Sequence, residues 1–211
     1  MDTIKERRVA KSGIIEEERL FNNLLSSQPL CFNFFGELKN DSVLALRMLQ
    51  RFYPELTEVR NVIFEFAPKG KYTNDNSAFD VAFEVMAGDK KGLVGIECKY
   101  TDAFSLKEYD REEYRGIYNE SKNAFLAPYK DFVASRFNQL FRNQLIGEAL
   151  IQNKECDFVL TGLFCHQNDD IARNTAAEFQ NMLRDGKSKF RVITYQDYLE
   201  TIQQLDISWE L

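Results

Sequence analysis

Over 76–86 and again over 92–102 the chain alternates apolar and polar side chains with a period of two, and the rest of the sequence is arranged around this pair of runs. Over 79–86, Phe79, Val81, Phe83 and Val85 share one face, and Asp80, Ala82 and Glu84 share the other. Over 92–100, Val94, Ile96, Cys98 and Tyr100 oppose Gly95, Glu97 and Lys99. Such alternation between turn-forming residues predicts two strands. Gly88, Asp89, Lys90, Lys91 and Gly92 supply the hairpin reversal between them. The run 59–66 predicts a strand ahead of the pair.

Helical spacing takes over on either side. Ile14, Phe21, Leu24 and Leu25, with Leu20 at the margin, predict a helix over 14–25 that stops at Ser26, Ser27, Gln28 and Pro29. The apolar run 30–38 reads as a buried strand or an extended loop. A second helix runs from Ser42 to about Tyr53 behind Asn40 and Asp41, with Val43, Leu44, Leu46, Met48 and Leu49 as its contacts. Residues 68–77 are unlike core and begin as a polar linker. Residues 102–130 mix helical spacings with a break near Pro128, too polar for a central position and rich enough in tyrosine for a lid or groove wall.

The clearest helical period lies over 131–151, where Val133, Phe137, Leu140, Phe141, Leu145 and Ala149 form a stripe with Gln144 and Glu148 inside or beside it. A polar residue on a buried face needs a partner, which suggests that this helix passes a polar site. The almost wholly apolar 157–165 predicts an interior strand. A helix over 171–183, a strand over 190–195 and a closing helix over 196–205 complete the order. This succession predicts the α/β class, a mixed sheet flanked by helices.

A chain of 211 residues suggests one domain spanning 1–211. Its net charge of −6 argues against a general nucleic-acid binder. An acidic metal site with a local basic rim remains compatible with it, and Lys69, Lys71, Lys90, Lys91, Lys107, Arg111, Arg136 and Arg142 are candidates for the rim. Taken singly, each reads as ordinary solvated surface. Cys31, Cys98, Cys156 and Cys165 form no C-x-x-C pair and read as buried free thiols. His166, the one histidine, lacks partners at zinc-ligand spacing. The charged N-terminus reads as no signal peptide, and no apolar stretch is long enough to span a membrane, so a cytoplasmic location without membrane partners is expected.

If the acid-bearing faces of the two strands coincide, Asp80, Glu97 and Lys99 converge, and a slip in either strand would separate them. Alone, Asp80 reads as a turn or strand-edge acid, and Glu97 with Lys99 as a solvated strand face. Together, two neighbouring carboxylates repel unless a cation lies between them. A hard ion such as magnesium takes oxygen ligands from one or two carboxylates and keeps several waters.

The pattern Asp80 … Glu97-Cys98-Lys99, with the acid early in one strand and E-x-K closing the next, resembles the catalytic signature of the PD-(D/E)XK nuclease superfamily. The segment 27–38 is similar to the opening block of a bacterial branch of that superfamily, and the two resemblances together cover roughly residues 14–165. Phe79 stands where the family's name has proline. The resemblance implies a restriction-endonuclease-like three-layer core in which Asp80, Glu97 and the Cys98 backbone carbonyl bind magnesium, with manganese as a substitute. Lys99 would orient or activate the attacking water. It implies a further acid at Glu17, Glu37 or Glu65, with Glu65 preferred. It also implies a glutamine or arginine on the following long helix, for which Gln139, Arg142 and Gln144 are candidates, and Lys71 joins Gln139 and Arg142 as a substrate contact.

The function implied is that of a magnesium-dependent nuclease, with DNA ahead of RNA as partner and a free sheet edge offering a route to a homodimer. Two other classes stay open, a catalytically silent nucleic-acid-binding or scaffold protein on the same fold, and a hydrolase of a small phosphorylated substrate.

Overall fold

The computed structural model describes residues 26–100, 104–105 and 107–205. The helix predicted over 14–25, with Glu17, lies outside them. The run 30–38 is helical, which corrects the strand-or-loop reading: α1 spans Ser27–Phe35 and continues into a 3₁₀ turn over Glu37–Lys39. Ser26 caps α1, its hydroxyl accepting from the Gln28 N–H at 3.4 Å. Pro29 falls in the first turn, where backbone N–H groups have no intrahelical acceptor, so it opens a helix here. Helix α2, Ser42–Gln50, is capped by Asp41, which accepts from the Leu44 N–H at 2.9 Å. Ala45, Met48 and Leu49 reach the core, whereas Val43, expected as a contact, is 66% exposed.

Five strands come next in the order β1 (Glu58–Phe66), β2 (Phe79–Ala87), β3 (Lys90–Cys98), β4 (Phe158–Cys165) and β5 (Phe190–Thr194), and each pairs with its sequence neighbour. The pairs β1–β2 and β2–β3 are antiparallel, and β3–β4 and β4–β5 are parallel. The hairpin turn is only Gly88 and Asp89, with Gly88 at φ 63°, a left-handed conformation that glycine adopts without strain. Lys90 and Lys91, expected in the turn, are therefore strand residues.

One sheet face packs on α1, α2 and the last helix, through Phe35, Met48, Leu49, Val81, Phe83, Val94, Ile96 and Tyr198. The other lies under the long helix Ser135–Gln152, with the helices Glu112–Glu120 and Asp170–Met182 beyond it. In chain order these are α3 (Glu112–Glu120), α4 (Tyr129–Phe132), α5 (Ser135–Gln152), α6 (Asp170–Met182), α7 (Gly186–Lys189) and α8 (Tyr195–Gln204). The result is a mixed α/β architecture, a mixed sheet flanked by helices, consistent with the expected restriction-endonuclease-like fold.

Helix α5 begins at Ser135 and not near Asp131, because Pro128 starts the separate turn α4 and the chain is extended again at Ala134. Nor is the segment before it all peripheral, since the buried Tyr114, Phe125 and Phe132 join the core beneath α5. All four cysteines are free and buried, as expected. No helix among the described residues is long and apolar enough to cross a membrane.

One break in alternation shapes the acid-bearing end of the sheet. Phe79 leaves the face of Val81 and Phe83 and packs with Ala82, Leu93 and Ile146 under α5. On β1, Glu65 has φ 50°, and Phe64 and Phe66 turn to opposite faces about it. The Phe66 and Phe79 rings then stack with centroids 6.4 Å apart. Gly95 makes room for this, because a Cβ there would lie 2.5 Å from the Phe79 ring.

Candidate active site

The last regular pair of the β2–β3 ladder is Val81 with Ile96, which leaves Asp80 and Glu97 opposite one another one step further on. At that step the ladder gives way to a side chain, Asp80 Oδ2 accepting the Cys98 N–H at 2.6 Å. Flanking pairs Phe64–Val81 and Phe66–Phe79 set Glu65 beside Asp80 on the other side. Glu65, Asp80 and Glu97 therefore cross three adjacent strands in one row. Gln28 Nε2 of α1 donates to Glu65 Oε1 at 2.7 Å.

Helix α5 holds Glu97 from above. Gln139 Nε2 donates to Glu97 Oε1, and Asn143 Nδ2 donates to Glu97 Oε2 at 2.8 Å. These two amides are four residues apart, hence on one helix face. Lys99 Nζ donates to Gln139 Oε1 at 2.7 Å and lies 3.4 Å from Glu97 Oε1, so Gln139 links the acid and the amine. The Glu97 and Lys99 side chains are only 5% and 6% exposed. The Lys99 ammonium also lies 5.1 Å from the Phe104 ring centroid, and the Lys99 carbonyl accepts from the Tyr195 hydroxyl.

Negative charge is in excess at this point. Burial, followed by the fields of Glu97 and Glu65, pushes the Asp80 carboxyl well above the usual carboxylate range, against the Cys98 N–H and Lys99, which lower it. Cys31 and Cys98 lie beneath; burial raises both thiols, Cys31 to about 11, so neither is a thiolate at neutral pH. Among the described residues no group of three or more His, Cys, Asp or Glu side chains is arranged to hold a metal ion. Two carboxylates and the Cys98 carbonyl remain, all hard oxygen donors in an over-negative setting. That chemistry suits magnesium or manganese, which need one or two carboxylates and complete their shells with water.

The other candidates are distributed differently. Gln144 misses the site, accepting from Thr161 Oγ1 at 3.1 Å and donating to Glu148 Oε1 at 2.9 Å, because it projects one step round α5 from Gln139 and Asn143. Arg142 lies 3.2 Å from Ser77 Oγ and 3.9 Å from Asp75 Oδ2, with its guanidinium 4.9 Å from the Tyr109 ring centroid. Asp75 also accepts from the Tyr114 hydroxyl and from Thr73 Oγ1 at 2.7 Å. Arg142 thus pins the segment leading into β2. Lys71 is exposed on that segment, and Glu37 is exposed at the end of α1.

Asn143, Gln28 and Tyr195 were not legible as site residues. Asn143 carried a usable signal, a second amide one turn after Gln139 on a helix whose neighbouring faces are apolar. A family model described as the PD-(D/E)XK nuclease superfamily matches residues 2–210. No curated protein matches the chain.

Proposed function

The chain belongs to the PD-(D/E)XK nuclease superfamily, and from that premise we propose that it is a metal-dependent phosphodiesterase acting on nucleic acid, DNA ahead of RNA. The observation that carries this reading is the junction of β2 and β3, where Asp80 is bonded to the Cys98 N–H at 2.6 Å beside Glu97, and Lys99 reaches Glu97 through Gln139.

Asp80, Glu97 and the Cys98 carbonyl would hold a magnesium or manganese ion. When bound, the ion supplies Lewis-acid polarisation of a phosphate and lowers the pKa of a water. Lys99 orients the attacking water and stabilises the negative charge that grows on the phosphoryl oxygens. Gln139 fixes the Lys99 amine in place, and Asn143 fixes the Glu97 carboxylate, so neither group must reorganise as charge develops. Glu65 adds to the field on Asp80. Arg142 acts at one remove by holding the strand entry.

A second reading has one observation in its favour: Glu97 and Lys99 are almost wholly buried and satisfied by protein partners. That favours a member of the fold that binds nucleic acid without turnover. The two readings separate in one experiment. Calorimetric titration of magnesium and manganese into wild type and Asp80→Ala is followed by cleavage assays on single- and double-stranded DNA and RNA. Binding and cleavage by wild type, both lost in Asp80→Ala, are expected. Equal metal binding by the two proteins would remove Asp80 as a ligand, and binding of the same nucleic acids in a gel-shift measurement with no cleavage at any metal concentration would favour the silent reading.

A further inference from the structure

On the α5 side of the sheet, beyond the Phe66–Phe79 stack, lies a cavity of about 390 Å³. Its floor is apolar, from Ile63, Phe66, Leu93 and Leu150, and its charged lining is Lys69, Lys91, Glu84 and Glu155, the last already engaged by the Tyr72 hydroxyl. The volume falls in the range of about 300–1,000 Å³ usual for small-molecule sites. Glu84 pairs with Leu93 across β2–β3 and follows Ala82 on the face under α5, which aims its carboxylate to this side. Among the described residues no hydrogen bond or ion pair engages the side chains of Glu84, Lys69 or Lys91. Glu84 is half-buried in the middle of β2.

An aromatic ring in an apolar hollow, a carboxylate acceptor at its side and two ammonium groups in its lining suit one chemistry, that of a nucleotide. We propose that this cavity binds a guanine nucleotide, with the base against Phe66, its edge on Glu84 and its phosphate at Lys69 and Lys91. Rings stack on a base of any kind, so selectivity comes from Glu84. A carboxylate accepts from two adjacent donors, and guanine offers N1–H and the 2-amino group side by side. Adenine and cytosine set a ring acceptor beside their amino group, facing the second oxygen, and uracil and thymine flank one N–H with two carbonyls.

The nucleotide has two sources, a free mononucleotide or an unpaired guanine of a longer strand inserted into the cavity. Titrations without divalent metal separate the sources and do not depend on catalysis. Guanosine, adenosine, cytidine and uridine 5′-monophosphates form one arm, and short single-stranded oligonucleotides with and without one guanine form the other.

Guanosine monophosphate binding at least tenfold tighter than the other three, weakened tenfold or more by Lys91→Ala and losing its preference in Glu84→Gln, is expected for a free-nucleotide site. The same variant pattern confined to the guanine-bearing oligonucleotide assigns the cavity to the strand. Absence of saturable binding in both arms, or binding unchanged in both variants, would overturn the proposal. Cleavage by a protein that binds in neither arm would leave the nuclease reading intact, and nucleotide binding by a protein that cleaves nothing would do the reverse.

Discussion

Asp80 takes a backbone position with its side chain: its Oδ2 accepts the Cys98 N–H at 2.6 Å, just where the β2–β3 ladder would otherwise continue beyond Val81 and Ile96. The two strands part at this point, and the carboxylate fills the fork. Because the bond holds the acid against Glu97, the arrangement concentrates charge that the fold alone does not neutralise.

Asp80→Asn keeps an acceptor for the Cys98 N–H and removes that charge. Without metal, its melting temperature at neutral pH is expected to exceed that of wild type, since the raised pKa of Asp80 marks the ionised form as unfavourable in the folded state. Cleavage is expected to fall by about 10²–10³ or more. Scanning calorimetry beside a nuclease assay checks both, and a variant that melts lower would contradict the charge argument.

Asp80 and Asp75 are expected to give opposite pH dependences. Asp80 has a folded pKa above its unfolded value near 3.8, so the folded state holds the extra proton and stability declines as pH rises from about that value to the folded pKa. Burial alone would raise Asp75 too, but hydrogen bonds from Tyr114, Thr73 and Ser77 hold it below 3.8. Its contribution is therefore full above 3.8 and lost as pH falls through the lower folded value. Denaturant melts from pH 2 to 8 on wild type, Asp80→Asn and Asp75→Asn resolve the two slopes. Added magnesium is expected to flatten the Asp80 slope alone.

Asn143→Ala removes the donor 2.8 Å from Glu97 Oε2 and leaves a buried carboxylate oxygen short of a partner. The expected loss of stability is about 1–3 kcal/mol, measured by urea denaturation, with weaker metal binding or a lower cleavage rate alongside. Asn143→Asp, placing a second anion against Glu97, is expected to lose more. Equal stability of wild type and Asn143→Ala would show that the contact carries no weight.

Gly95→Ala tests how the fork is held open. The added methyl meets the Phe79 ring at 2.5 Å, and Phe79 immediately precedes Asp80. A destabilisation of about 1–3 kcal/mol from overpacking is expected, with a drop in activity although no polar group has changed. Full activity in a destabilised Gly95→Ala would mean that Asp80 is placed independently of the ring.

Much of the fold was legible because its signals are local. The two-residue period over β2 and β3, the Asp41 cap of α2 and the apolar run of β4 each report the backbone state of their own neighbourhood. The same period assigned Glu97 and Lys99 to one face, and the placement of Gln139 over them shows that assignment held. The run 30–38 misled because an apolar stretch with one asparagine has no clear period of its own, and it is the cap at Ser26 with Pro29 in the first turn that makes it a helix.

Local patterning was enough for the strands, for the long helix and for which acids and which lysine stand near the ends of β2 and β3. Tertiary structure decided the rest: that Phe79 leaves its alternating face for the space above Gly95, that Glu65 turns at φ 50° beside Asp80, and that Gln139 and Asn143 come down on a glutamate 42 and 46 residues earlier. Alternation is a property of one strand's neighbouring residues. Which ring fills a gap, and which amide meets a buried carboxylate, depends on surfaces that exist only after distant parts of the chain have packed together.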